Sequence, residues 1–271
     1  MRDILEDIVA NKRIEVERFK MMMPECQLHK AVEKIMATND SLPSMRKALT
    51  DAEVGIIAEF KRKSPSKGWI KEDGMADVIP LSYQKSGAAA LSILTDEKYF
   101  GGKDEYITMA IKSGVTIPLL YKNFIIDEYQ LFQARLCGAS AVLLIAADLR
   151  KDICRQMLHT AHELNMEVLL EMHSEAELEY AEMEPDMCGI NNRNLGTFVT
   201  DVQNSFRLAD KLPKDACKVS ESGISKSDTV AQLKRAGFNG FLIGENFMRS
   251  SDPGTALKLF IDEVKKKMAI C

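Results

Sequence analysis

No apolar run in this 271-residue chain is longer than the stretch from Ala141 to Ala147. A bilayer-spanning helix needs about 20 such residues, so no segment qualifies. The first residues, Met1-Arg2-Asp3-Ile4-Leu5-Glu6-Asp7, carry acids too early for a secretory signal. No block of basic residues stands out and the net charge is −4, so nucleic acid is not an expected partner, although local Lys/Arg clusters can still hold a small anion. None of the six cysteines (Cys26, Cys137, Cys154, Cys188, Cys217, Cys271) forms a C-x-x-C pair, which removes the signals of a zinc knuckle and of a thioredoxin-type centre. Several sit in apolar contexts, as small core residues do, and this fits a reducing compartment. A cytoplasmic protein that contacts no membrane is the expectation. No low-complexity linker or compositional break divides the chain. Residues 1–271 therefore read as one domain, with residues 1–50 an N-terminal helical extension packed on it, and the length leaves no room for a fused second enzyme.

What is present is ordinary globular material, 46% apolar and 28% charged. Residues 3 to about 23 have the spacing of an amphipathic helix, with Ile4, Leu5, Ile8, Val9, Ile14, Val16 and Phe19 between charges. Pro24 and Thr38-Asn39-Asp40-Ser41 interrupt the pattern, and Met21-Met22-Met23 reads as gap-filling core. From Val54 onward an apolar run followed by a helical pattern recurs eight times. The runs are Gly55–Phe60, Ala88–Leu94, Thr116–Leu120, Ser140–Ile145, Glu167–Leu170, Met187–Ile190, Cys217–Val219 and Gly240–Ile243. Gly87, Gly114, Gly138 and Gly237 stand where the intervening helices should stop. Ser174-x-x-Glu177 and Ser225-x-x-Asp228 have the form of helix N-caps. Strands alternating with helices imply parallel pairing, and eight units in this length predict an α/β fold, a (β/α)8 TIM barrel with an N-terminal helical extension. A doubly wound open sheet is the alternative, but no G-x-G-x-x-G turn follows the first strand.

In a barrel of this kind the site lies at the C-terminal ends of the strands. Those ends read Glu59-Phe60-Lys61, Thr95-Asp96, Lys122-Asn123, Ala146-Ala147-Asp148, Glu171-Met172-His173, Asn191-Asn192-Arg193-Asn194, Ser220-Glu221-Ser222-Gly223 and Gly244-Glu245-Asn246. Glu59 and Lys61 share one face of an apolar strand; taken alone, they fit a solvated edge with a surface ion pair as well as a catalytic pair at the barrel mouth. Converging lysines and glutamates suit general acid–base work. The glycines after the seventh and eighth runs let backbone amides approach a phosphate, and Arg193 adds a charged donor. A phosphorylated small molecule is the substrate class expected. His159 and His162 share a helix face without evident further metal ligands. His173 is assigned packing or a hydrogen bond near the mouth. Trp69 either covers an aromatic substrate or anchors its own loop.

The stretch Ile57-Ala58-Glu59-Phe60-Lys61-Arg62-Lys63-Ser64-Pro65-Ser66-Lys67-Gly68 resembles the first-strand signature of the indole-3-glycerol phosphate synthase family. The likeness continues in Ser92-Ile93-Leu94-Thr95-Asp96, Phe100-Gly101-Gly102, Leu143-Leu144-Ile145-Ala146-Ala147, Gly189-Ile190-Asn191-Asn192-Arg193-Asn194-Leu195, Ser220-Glu221-Ser222-Gly223-Ile224 and Phe241-Leu242-Ile243-Gly244-Glu245. Ile4-Leu5-x-x-Ile8-Val9-x-x-Lys12 is similar to the extra helix this family places before its barrel. The resemblance implies a carboxy-lyase of tryptophan biosynthesis that turns 1-(o-carboxyphenylamino)-1-deoxyribulose 5-phosphate into indole-3-glycerol phosphate, carbon dioxide and water. It implies catalytic roles for Glu59, Lys61, Lys122, Glu171, Asn191 and Ser222, and substrate or phosphate binding by Ser64, Arg193, Glu221, Gly223, Gly244 and Glu245. It implies neither metal nor organic cofactor. A monomer is expected, with association with another tryptophan-pathway enzyme left open. The chain departs from the family pattern at Tyr121, where arginine or another residue is usual, and at Asn123, where aspartate is usual. Loss of that carboxylate is expected to remove a counter-charge from Lys122 and to lower its pKa if the two groups are close. Two other readings stand beside this one. One is an aldolase-type barrel in which Lys122 or Lys61 forms a Schiff base. The other is a silent barrel that binds a metabolite or a protein.

Overall fold

Eight parallel strands follow one another around a closed barrel in chain order, and the last pairs with the first. The structure is a computed structural model that describes residues 4–38, 41–194 and 199–269; Asn39, Asp40, Leu195 and Cys271 lie outside the described residues. The strands are β1 Gly55–Phe60, β2 Ala90–Leu94, β3 Leu119–Lys122, β4 Ala141–Ile145, β5 Glu167–Met172, β6 Met187–Asn191, β7 Cys217–Glu221 and β8 Gly240–Ile243. All eight expected strands are present. The third starts later than its run suggested because Pro118 has no amide for the ladder; its carbonyl instead accepts from Leu91. The helices are α1 Ile4–Met22, α2 Glu25–Thr38, α3 Met45–Asp51, α4 Ile79–Lys85, α5 Glu97–Phe100, α6 Glu105–Lys112, α7 Tyr129–Cys137, α8 Lys151–Glu163, α9 Gln203–Leu208, α10 Ser227–Arg235, α11 Glu245–Met248 and α12 Pro253–Ala269. The expected helix-stopping glycines Gly87, Gly114, Gly138 and Gly237 all have positive φ, the conformation glycine adopts at least cost. Ser174 precedes a 3-10 segment, Glu175–Met183, and donates to the Glu177 carboxylate at 2.9 Å. Ser225 is not a cap: the chain stays extended through Lys226, which takes the N-cap position of α10.

Alternation sorts the strand side chains into two cores. Ile57, Leu120, Leu143, Leu169, Val219 and Leu242 point into the barrel, while Ile56, Ala58 and Phe60 pack outward under the helices. The N-terminal end of the barrel is closed by α3, whose Met45 and Leu49 are fully buried with the inner set. Glu167, the first residue of β5, accepts from the amides of Met45 (2.7 Å) and Arg46 (2.8 Å). A carboxylate thus satisfies amides that the first turn of a helix leaves without partners.

The opposite end is roofed by α1. Buried Lys12 reaches Asp96 at 2.8 Å and Glu15 at 2.6 Å, and Asp96 caps α5 through the Tyr99 amide at 2.8 Å. Pro24 does more than break the pattern. Its carbonyl accepts from Gln27 and Leu28, so it opens α2, which buries Leu28 and Val32. Met21 and Met22 are not core: they are 78% and 75% exposed, because the face of α1 that packs carries Leu5, Ile8, Lys12 and Val16. Cys154, Cys188 and Cys217 are buried, and burial pushes each thiol up, to about 11, 11 and 12. Cys26 is exposed. Among the described residues no helix is long and apolar enough to cross a membrane.

Candidate active site

At the C-terminal ends of the strands lies a cavity of about 390 Å³. Its wall holds eleven of the twelve expected site residues: Glu59, Lys61, Lys122, Glu171, Asn191, Arg193, Glu221, Ser222, Gly223, Gly244 and Glu245. The twelfth, Ser64, is 2% exposed and does not line it. Lys63–Ser64 pairs with Gly68–Trp69 in a short antiparallel ribbon. The pairing puts the neighbouring Pro65 on the cavity wall instead. No periodic signal in the sequence marked this ribbon.

The acid–base half of the cavity is built on strand ends. Alternation points Glu59 inward with Ile57, so of the two explanations for Glu59 and Lys61 the geometry selects the pair at the mouth: Lys61 Nζ lies 2.5 Å from Glu59 Oε1. Lys122, the last residue of β3, places Nζ 2.8 Å from Glu171 Oε2 and 3.4 Å from Glu221 Oε2. Asn191 donates to Glu171 Oε1 at 2.9 Å. Glu59, Glu171 and Glu221 are 4%, 2% and 1% exposed, and carboxylates so buried persist only when paired. Two glycines make room for them. A Cβ on Gly189 would fall on Glu221 Oε1, and one on Gly244 would fall on Glu59 Oε1.

The charges divide the three groups around Lys122. Burial would raise the Glu171 pKa, but Lys122 and His173 hold it well below the carboxylate range. Burial pushes Glu221 up to about 8, against the pull of Lys122 and with the repulsion of Glu171. Burial would lower the Lys122 pKa, yet Glu171, Glu221 and Glu59 together raise it. Asn123 does not act on Lys122 as expected. Its amide donates to Thr95 at 2.8 Å and Tyr121 at 3.3 Å, and the counter-charges of Lys122 come from β5 and β7. The expected fall in the Lys122 pKa is therefore corrected to a rise.

The other half of the cavity is built on loops. Ser222 and Gly223 both have positive φ, which turns the chain after β7. Gly244 precedes α11 and accepts from Phe247 and Met248. Arg193 pairs with Thr200 as a single bridge, its Nε 3.3 Å from the hydroxyl. Arg249 also lines the cavity and holds Glu245 at 2.7 Å. Sequence reading passed over Arg249, although Glu245-x-x-x-Arg249 is the spacing of a helical ion pair. It also missed the apolar part of the wall, to which Ile4, Leu5 and Ile8 of α1 contribute together with Phe100 and Phe124.

Three further residues find their places. Trp69 anchors its loop: it packs on Gly101, and Arg62 lies 5.3 Å from its ring. His162 and His159 face acids, Asp186 at 2.8 Å and Glu163 at 3.2 Å. His173 sits behind Glu171, off the cavity wall.

Comparison with known proteins agrees with this geometry. The family model for indole-3-glycerol phosphate synthase matches residues 5–260. A protein of that name from Bacteroides thetaiotaomicron is 53% identical over 98% of this chain and 100% of its own length. One from a Polaromonas species is 40% identical over 95% and 97%. Among solved structures, thiamine phosphate pyrophosphorylase from Pyrococcus furiosus superposes with a TM-score of 0.62 at 13% identity, covering 83% of this chain and 100% of that one. For 3-hexulose-6-phosphate synthase from Salmonella typhimurium the values are 0.61, 14%, 79% and 99%. At such identities these two structures speak for the fold alone.

Proposed function

The chain belongs to the indole-3-glycerol phosphate synthase family, and we propose that it carries out that reaction in the cavity above β1–β8, with the two lysine–carboxylate systems as its acid–base machinery. The observation that carries the reading is that Lys61–Glu59 and Lys122–Glu171 open onto one cavity whose far side is lined by backbone turns and arginines.

The roles follow from chemistry and position. The ring carbon bearing the carboxylate attacks the substrate ketone, and the ketone oxygen takes a proton from Lys122, which the acids around it keep charged. Lys61 holds the carboxylate until the bond to carbon dioxide breaks and its electrons return to the ring. Hydroxide then leaves with a proton from Lys61, as water. Glu171, held ionised, removes the last carbon-bound proton as the indole becomes aromatic, and Glu59 stabilises the cationic intermediate. Asn191 and Ser222 position the substrate. Arg193, Gly223, Gly244 and Glu245 form the phosphate end, Glu245 through its backbone amide. Ser64 contributes only through the ribbon that sets Pro65. Preorganised charge and orientation supply the rate. The α1 side chains Ile4, Leu5 and Ile8 and the rings of Phe100 and Phe124 line the same cavity and offer apolar surface to an aromatic ring.

The test is indole fluorescence from the carboxyphenylamino-deoxyribulose phosphate with EDTA present, for wild type and Lys122→Ala. Product from the wild type and its near loss in the variant support the reading. Product that survives Lys122→Ala moves the acid to Lys61. No product from the wild type at any pH, with substrate bound, overturns the reaction. Borohydride trapping with a sugar phosphate is expected to leave no covalent adduct; an adduct would favour the Schiff-base barrel.

A further inference from the structure

We propose that His173 is a positioning residue for the carboxylate of Glu171, and that it is oriented in turn by Glu177. The inference rests on the reading above, in which Glu171 is the base. Three polar partners converge on that carboxylate. Lys122 takes Oε2, while Asn191 and His173 Nε2 approach Oε1 at 2.9 and 3.2 Å. Two of the three touch the cavity; His173 does not. It stands two residues after Glu171, where strand alternation returns a side chain to the same side.

The His173 ring lies between two carboxylates, at ion-pair distances without aligned hydrogen bonds from its ring nitrogens. Its Nδ1 lies 3.5 Å from Glu177 Oε2, and the same oxygen accepts its backbone amide at 2.7 Å. Ser174 donates to the other Glu177 oxygen at 2.9 Å. The His173 carbonyl accepts from Asn204 at 2.9 Å, and Asn204 also reaches the Asn191 carbonyl at 3.3 Å. One asparagine thus ties the segment carrying His173 to the strand end carrying Asn191. A base held on both sides in this way keeps the geometry that proton transfer needs.

The charge has a use of its own. Lys122 lends its proton to the substrate during ring closure, and while it is neutral Glu171 loses a counter-charge. Facing Glu171 are Lys122 from β3, His173 from just past the end of β5, neutral Asn191 from β6 and Glu221 from β7, with Glu59 of β1 acting on Lys122. His173 is then the one remaining cation facing that carboxylate among the described residues. Burial would lower the His173 pKa, but Glu171 and Glu177 hold it at about 10, so the imidazolium persists through the cycle and keeps Glu171 ionised. The flanking pattern Glu171-x-His173-x-x-x-Glu177 is visible in the sequence, but only the fold shows that the imidazole lies between the two carboxylates.

The experiment measures kcat and KM against pH for wild type, His173→Asn, His173→Gln and Glu177→Gln, all as full-length chains. Removing the cation raises the Glu171 pKa, so the acid limb of kcat should move to higher pH by about one unit, a tenfold loss on that limb. KM should stay within about twofold, because His173 touches no substrate. His173→Gln keeps a donor but not the charge and should shift the limb as much as His173→Asn. Glu177→Gln should shift it the same way by less. A kcat that falls equally at every pH, or a KM that rises instead, would make His173 merely structural and overturn the proposal. If His173→Asn fails to fold, Glu177→Gln decides by the same criterion. Wild type that yields no indole product at all sinks the reaction assigned above instead, and the two failures are told apart by that control.

Discussion

The two halves of the cavity are made by different means. The acid–base half stands on strand ends, and its glutamates are buried and paired with lysines. The proposed phosphate half stands on turns and on two arginines, Arg193 partly buried and Arg249 59% exposed. A charge fixed on a buried strand end acts at low effective dielectric and is worth more. A charge on a loop is screened and tolerates substitution. Loss on the first half should therefore appear in kcat, and loss on the second in KM. Lys122→Ala is the strongest way to break the contrast. It removes the proposed acid, leaves Glu221 without its lysine and leaves Glu171 with only His173 and Asn191. A kcat loss of about 10²–10⁴ is expected, read by the fluorescence assay at fixed pH. A loss confined to KM would erase the distinction.

Gly244 belongs to both halves, so Gly244→Ala sharpens the comparison. It lines the cavity at the proposed phosphate end, yet an added Cβ would meet the Glu59 carboxylate. If the steric effect dominates, Glu59 shifts and takes Lys61 with it. A displacement near 1 Å of this kind costs about 10²-fold, here in kcat. Gly223→Ala is the matched control. It strains a positive φ and presses on Thr200, with no catalytic carboxylate nearby, and it should raise KM with little change in kcat. If both variants change the same constant, the halves do not differ in kind.

Stability should carry the same division. Glu221 has a folded pKa of about 8 against an ordinary 4.5, so the folded state holds its proton more tightly than the unfolded chain. That contribution is full below about 4.5 and is lost as pH rises through about 8. His173, raised from 6.5 to about 10, adds a loss over its own window, full below 6.5 and gone above 10. Glu171 has the opposite sign: its lowered pKa stabilises above the carboxylate range and is lost as the pH falls. The free energy of unfolding in urea should thus fall between pH 6 and 8. Glu221→Gln should remove up to about 2 kcal/mol of that fall and leave the His173 share. Equal slopes in wild type and variant would show that Glu221 is ionised in the fold.

How much of this was legible before the fold was known follows from the same contrast. Eight apolar runs followed by helical patterns located the strands, and the polar residues that end those runs gave Glu59, Lys122, Glu171 and Glu221. The helix-ending glycines were legible because positive φ favours one residue type. What alternation cannot carry is pairing between segments far apart in the chain. Asp96 joined to Lys12, Thr95 to Asn123, and Lys122 to Glu171 all depend on closure of the barrel. Ser64 was misplaced because a two-residue ribbon is too short for any period. Met21 and Met22 were misread because an apolar side chain at the end of a helix has no face assigned until the neighbour is known.

Asn123 offers the smallest expected effect and the finest test. The usual aspartate at this position suggests a counter-charge to Lys122, whereas the structure gives Asn123 a different task. Its amide group donates to Thr95 and Tyr121, and Tyr121 passes the chain on to Asp104 at 2.8 Å. Burial pushes Asp104 up to about 6 although the Tyr121 hydrogen bond pulls it down, so this network behind β3 ends on a carboxylate that is ionised at neutral pH. In Asn123→Asp the two donors vanish and a second acid arrives beside Asp104. The net cost of the lost hydrogen bonds is about 1 kcal/mol, and a urea-unfolding midpoint lowered to match, with unchanged slope, is the expected readout. Lys122 keeps Glu171 and Glu221, so kcat should stay within about twofold and the basic limb of its pH profile should not move. A basic limb that shifts upward by a unit would return Asn123 to the acid–base half and show that the third strand, like the first, carries its charges in pairs.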